Sequence, residues 1–283
     1  MDKFKEPGWR KMPVSWQKDP NFQERIRAAR QGDAIAALKL YIAICLKAEF
    51  YPTNRLPAGS VQISLTSLSE LVDLSRPMVI AGLNLLAEWN IVVSDGGRPA
   101  ILRIVEYADS KYWVKLPMRQ LYGSKNEDRV QTLIHLPNRR RGTLHALQLY
   151  LYLASIRDRN SNMATLSYDQ GMRTLGLSRN YFSSALSMLT VDLVTVRTAL
   201  EAKEQTGQNF SANQYWLRGS RYDPFRTNPA DTDALDADDG QAYLYDESDD
   251  DLGSEIQRSQ RIEPATIPEL RRPRKTVFSF DDD

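Results

Sequence analysis

Apolar positions follow a pattern that occurs twice along the chain. A first helix is predicted over about 34–48 and again over about 143–157, where Ala37-Leu-Lys-Leu-Tyr41 is echoed by Ala146-Leu-Gln-Leu-Tyr150. A short second helix follows at about 67–72 and 168–175. A tight turn then reads Leu74-Ser-Arg76 in one copy and Leu177-Ser-Arg179 in the other. Ser75 and Ser178 are good N-caps, since a serine oxygen accepts from the free N–H groups of a first turn. Third helices are predicted at about 76–89 and 179–190, and Pro77 is tolerated because it falls in a first turn.

Beyond each third helix the period changes from helical to extended. Ile91-Val-Val-Ser94 and Ile101-Leu-Arg-Ile-Val105 flank Asp95-Gly-Gly, a strong hairpin signal. In the second copy Leu193-Val-Thr-Val196 and Asn213-Gln-Tyr-Trp-Leu217 flank a longer polar excursion, residues 201–212. Two helices, a turn, a third helix and a β-hairpin make a helix-turn-helix with a wing. The expected fold class is α+β, mostly helical, with two winged-helix domains in tandem and a disordered acidic C-terminal tail. The expected boundaries are 1–30 for a basic N-terminal arm, 31–122 for domain one, 123–142 for a linker carrying an arginine cluster, 143–222 for domain two and 223–283 for the tail.

With this doubled pattern and its two Leu-Ser-Arg turns, residues 30–222 resemble tandem winged-helix DNA-binding proteins, above all plasmid and phage replication initiators. The resemblance implies oligomeric binding to repeated origin sites, one winged helix that supports dimer contacts and another that dominates recognition, and melting and recruitment steps that these residues do not themselves display.

The two third helices differ in what they leave uncovered. In copy two Phe182, Ala185, Leu186 and Leu189 form one core stripe, leaving Arg179, Asn180, Ser183, Ser184 and Ser187 outward, with donors and acceptors suited to phosphates and base edges. In copy one Val79, Gly82, Leu83 and Leu86 form the stripe, leaving Arg76, Pro77, Ile80, Ala81 and Asn84. Ile80 and Ala81 suit a protein surface better than DNA. Charge separates the copies too: residues 31–122 hold 9 basic and 8 acidic side chains, residues 137–222 hold 11 and 5. Arg139, Arg140 and Arg141 precede the first helix of copy two and are candidates for phosphate contact. Lys203, Gln205, Gln208 and Asn209 of the second wing, and Arg98 of the first, are candidates for groove or backbone contact; a polar loop without a role is the alternative for the former set.

Net charge changes the picture of the ends. Residues 1–222 carry 30 Lys and Arg against 19 Asp and Glu, whereas residues 223–283 carry 7 against 17. A basic body with an acidic tail is an asymmetry associated with nucleic-acid contact. Gly8-Trp-Arg-Lys-Met-Pro13 serves either as an arm along DNA or as a strap over domain one, because Trp9, Trp16 and Phe22 need burial. The tail's acidic clusters lack a calcium-loop pattern. At its end Val277, Phe278 and Phe280 lie between cations and carboxylates, and are candidates for a short motif that docks on a partner such as a host replication protein.

Catalytic signals are missing. Cys45 is the single cysteine and lies in an apolar run; His135 and His145 fit no metal spacing; no phosphate-binding glycine loop occurs. The sequence therefore predicts no enzyme activity and no cofactor. No apolar run reaches the ~18 residues of a membrane span, and no signal peptide is visible, so the expectation is a cytoplasmic protein associated with a nucleoid or plasmid. Its expected partner is double-stranded DNA, bound as a homodimer or higher oligomer. Two other readings stand beside the initiator: a transcriptional or partition regulator of the same fold, and a tandem winged-helix interaction subunit of a chromosome-organising complex.

Overall fold

The computed structural model describes residues 8–97, 99–123, 128–158, 161–207 and 211–219. Its class is α+β, with three small antiparallel sheets. The chain opens with β1 (Trp9–Pro13), a 3-10 turn at Ser15–Lys18 and α1 (Phe22–Ala28). Then come α2 (Gln31–Lys47), β2 (Ser60–Ile63), α3 (Leu65–Val72), α4 (Arg76–Glu88), β3 (Val92–Ser94) and β4 (Ala100–Ile104). The second half runs β5 (Trp113–Pro117), α5 (Met118–Tyr122), α6 (Gln131–Ile134), α7 (Arg141–Ile156), β6 (Met163–Leu166), α8 (Tyr168–Leu175), α9 (Arg179–Asp192), β7 (Val194–Arg197), α10 (Ala199–Thr206) and β8 (Asn213–Leu217). Helix, strand, helix, helix, strand, strand therefore occurs in both halves, with α10 inserted between the last two strands of the second. The sheets are ordered β2-β4-β3 and β6-β8-β7.

The long helix of each half is a core element rather than a surface one. Every residue of α2 from Ala34 to Leu46 is buried. With no continuous polar face, such a helix is stable only when enclosed on all sides; α2 lies against α4 on one side and α7 on another. The third helices follow the predicted phase: Val79, Gly82, Leu83 and Leu86 of α4 are buried, as are Phe182, Ala185, Leu186 and Leu189 of α9. Gly82 is where α4 crosses α2, since a Cβ there would lie 2.9 Å from the backbone of Ala36 and Ala37.

Several local expectations are corrected. Ser75 and Ser178 occupy the N-cap positions of α4 and α9, but neither side chain makes a capping bond. The serines that do cap are Ser64 and Ser167, accepting from Ser67 N at 3.0 Å and Gln170 N at 3.2 Å. The intervening turns close on left-handed residues, Asp73 (φ 53°) and Gly176 (φ 60°). Strands β2 and β6, four residues each, complete sheets that the hairpins alone do not make. The second hairpin's excursion is no plain loop: it holds α10, started by a capping box in which Thr198 and Glu201 bond each other's backbone N–H groups.

The N-terminal segment behaves as the strap of the two alternatives. β1 pairs with β5, and Trp16 and Phe22 join Tyr41 and Trp89 in one aromatic cluster, with ring centroids 4.5–5.4 Å apart. The stretch expected as a linker is also built in, with Val130, Leu133 and Leu136 buried and α6 formed within it.

One repeat was not anticipated. Trp9-Arg-Lys-Met-Pro13 and Trp113-Val-Lys-Leu-Pro117 share a Trp-x-Lys-x-Pro pattern, and these two segments pair with each other. Trp9 faces Pro117, Lys11 faces Lys115 and Pro13 faces Trp113. Counterparts meet in reversed order, so a local two-fold axis passes through the Lys11–Lys115 pair. The counterpart helices α2 and α7 pack on each other nearby.

Candidate nucleic-acid interface

The outward face of α9 is polar and follows a tight turn. Gly176 turns the backbone, α9 starts at Arg179, and the apolar stripe locks the helix inward. Gly171 of α8 is pressed against the Phe182 ring, where a Cβ has no room. Arg179, Asn180, Ser183, Ser184 and Ser187 are thereby all exposed. Tyr181 lies among them, 44% exposed. No acidic side chain occurs on α9 before Asp192, whose carboxylate lies 3.3 Å from His135 Nδ1 at the far end.

The arginine cluster is brought against this face by the other half of the molecule. Gln31 Nε2 donates to Arg139 O at 2.7 Å. Lys39, fully buried, donates to Leu136 O and to Asn138 Oδ1, both at 2.6 Å. Asn138 Nδ2 in turn donates to Asp73 O at 2.8 Å. Burial holds the Lys39 ammonium down at about 8, with nearby Asp73 acting in the opposite direction. Clamped in this way, Arg139, Arg140 and Arg141 are exposed where α7 begins.

The start of α7 runs beside α9. A Cβ at Gly142 would lie 3.2 Å from Met188 Sδ and 3.8 Å from Ser184 Oγ. The Arg141 guanidinium sits 5.3 Å from the Tyr181 ring centroid, and the His145 ring meets the same tyrosine edge-on at 5.0 Å. Burial and then Arg141 hold the His145 imidazole below its ordinary value, which favours a neutral ring. The first turn of α7 has neither an acidic residue nor a side-chain cap, so its N–H groups and dipole leave a positive end. Three arginines, a helix start and a row of hydroxyls thus form one surface that attracts an anion.

The remaining candidates fall elsewhere. Lys203 is exposed on α10, and Gln205 belongs to the same helix. On α4, Arg76 is exposed, but Ile80, Ala81 and Asn84 are half-buried. The Asn84 Oδ1 atom is buried without a hydrogen-bond partner, so this side chain does not face outward as predicted. Arg98, Gln208, Asn209, Val277, Phe278 and Phe280 lie outside the described residues. Sequence reasoning missed Tyr181, Lys39 and Asn138. Tyr181 could have been found as an aromatic on the polar side of a stripe, and Lys39 as the lone cation of an apolar run.

Cys45 is buried and its thiol is pushed up by burial, an inert structural position. Among the described residues, no group of three or more His, Cys, Asp or Glu is placed to hold a metal ion, and no helix is long and apolar enough to cross a membrane. No protein-family model, curated protein or solved structure matches this chain.

Proposed function

We propose that this protein is a sequence-specific double-stranded-DNA-binding protein made of two winged helices, acting as a plasmid or phage replication initiator that assembles on repeated origin sites. The observation that carries the reading is the convergence of Arg139–Arg141, the start of α7 and the hydroxyl face of α9. In this reading α9 enters a major groove, with Arg179 and Asn180 at base edges or phosphates, while the arginines and the α7 N-terminus hold the backbone. The strand β6 and the β7–β8 pair form the wing sheet, and α10 with Lys203 extends it. The first half plays a supporting part: α4 offers Arg76 to solvent, yet its Ile80 and Ala81 suit contact with protein.

The test is fluorescence anisotropy of the full chain on double-stranded fragments of its own replicon, across a salt series. Affinity concentrated on one fragment, and persisting near physiological salt, supports a specific reader. Tandem repeats at an origin then favour an initiator, and a single palindrome over a promoter favours a regulator. Sequence-blind binding that vanishes with salt overturns the proposal, because phosphate neutralisation alone gives that behaviour.

A further inference from the structure

We infer that the cleft between β5 and the end of α7 binds a nucleotide unit, a planar base joined to a phosphate. The cleft encloses about 550 Å³, within the ~300–1,000 Å³ range of small-molecule sites. Tyr112, Trp113 and Tyr152 supply rings; Lys18, Lys115 and Arg157 supply cations; among the described residues lining it none is acidic. Rings for stacking and cations for phosphate are the two elements by which proteins hold unpaired nucleotides.

The arrangement is specific. Lys18 Nζ lies 3.1 Å from the centroid of the Tyr112 ring, which is 47% exposed. A base takes the place of Lys18 on that ring, and the exposed ammonium turns to the phosphate. Arg157 Nη2 donates to Lys115 O at 3.1 Å, which fixes the guanidinium in the wall. Burial holds Arg157 below its ordinary value, and the nearby Tyr150 acts in the opposite direction; the guanidinium stays charged. The end of α7 is a negative pole in principle. Three cations of the lining, Lys18, Lys115 and Arg157, offset it.

The same alternation continues onto the β1–β5 ribbon. Trp9 and Trp113 are stacked with centroids 5.8 Å apart and planes at 16°. Lys11 Nζ lies 5.5 Å from the Trp113 ring and Lys115 Nζ 4.7 Å from the Trp9 ring. This path is separate from the arginine cluster: the two lie at opposite ends of the 16-residue α7, roughly 24 Å apart by helical rise. The inference does not rest on duplex reading by α9.

A nucleotide reaches such a cleft either within a single strand or free, and the test distinguishes them. The full chain is titrated by anisotropy against a fluorescein-labelled oligothymidylate of about twelve nucleotides, and by calorimetry against dTTP alone. Tyr112→Ala and Lys18→Glu alter exposed side chains, and Tyr112→Trp restores a stacking surface. The expected result is that at least one probe binds, that Tyr112→Ala weakens it about tenfold, that Tyr112→Trp recovers it and that Lys18→Glu weakens it and flattens its salt dependence. Binding of the oligomer but not dTTP assigns the site to a strand, and binding of dTTP assigns it to free nucleotide. Failure of both probes, indifference to Tyr112→Ala and Lys18→Glu, or loss of the signal in Arg140→Ala/Arg141→Ala instead, overturns the inference.

Discussion

Lys39 is a lysine with no solvent exposure, and replacing it with methionine tests how the arginine cluster is held. Its ordinary value of 10.5 falls to about 8 in the folded chain. The folded pKa is the lower one, so between about pH 8 and 10.5 the unfolded chain binds more protons, and stability rises with pH across that window. Below pH 8 the cost of burying the charge is fully present; above 10.5 it is gone. At about 1.4 kcal/mol per pH unit this cost is roughly 3 kcal/mol, of which about 2 kcal/mol is relieved between pH 7.5 and 10. The neutral amine keeps two N–H donors, so its bonds to Leu136 O and Asn138 Oδ1 survive deprotonation. Lys39→Met removes the charge but strands both acceptors, at about 1–3 kcal/mol each. The two effects therefore oppose each other near neutrality, whatever their sum. The informative quantity is the difference between native and variant in urea unfolding, followed by tryptophan fluorescence from pH 7.5 to 10. Other lysines and tyrosines titrate in both proteins and cancel. The native chain is expected to gain about 2 kcal/mol on the variant over that range. Parallel stability curves would refute the argument, and with it the claim that this ammonium is charged and desolvated at neutral pH.

Four further outcomes are expected. Gly82→Ala should lose about 1–2 kcal/mol in urea unfolding, since overpacking against the α2 backbone outweighs a helix-propensity gain of about 1 kcal/mol; Gly32→Ala, with nothing within 4 Å of the new Cβ, should gain about 0.5–1 kcal/mol. Arg140→Ala/Arg141→Ala should lower the slope of log affinity against log salt on duplex DNA by about 2, with little change in sequence preference. Asn180→Ala should instead relax preference at one base position by about 1–3 kcal/mol in a competition series, leaving the salt slope unchanged.

What the sequence disclosed, and what it hid, follows from the range of the interactions involved. The phase of α9 was legible because Phe182, Ala185, Leu186 and Leu189 must share one face, which sends Arg179 and Ser183 outward whatever the tertiary structure. The β3–β4 hairpin was legible because a local turn specifies it. Strands β2 and β6 were not, because Ser60–Ile63 and Met163–Leu166 are too short for alternation to stand out, and their partners lie far along the chain. The helix α10 carried a usable signal, Thr198 with Glu201 three residues on, hidden by the expectation of a loop. Of the candidate interface, the residue types were readable, but the clamp formed by Gln31, Lys39, Asn138 and Asp73 was not, because it joins residues 65 to 108 positions apart.

The same clamp bears on whether the two halves are separable. Arg129 Nε donates to Glu70 O and Val130 N to Leu71 O, and Asn138 then reaches Asp73 at the turn before α4. The segment that leads into α7 is thus laid on the helix pair of the first half. Its counterpart, α1, does the reverse: a Cβ at Gly176, the turn before α9, would meet the guanidinium of Arg27. Each half sends its leading segment to the turn of the other, and β1 with β5 ties the two exchanged segments together. A cut within residues 123–142 therefore removes from each half part of its own turn support, besides exposing the α2–α7 surface. Neither half is expected to fold alone. The two repeats form one body in which the third helices are held at a fixed separation; under the proposed function, a DNA site that engages both must match that spacing, while one that engages α9 alone is indifferent to it.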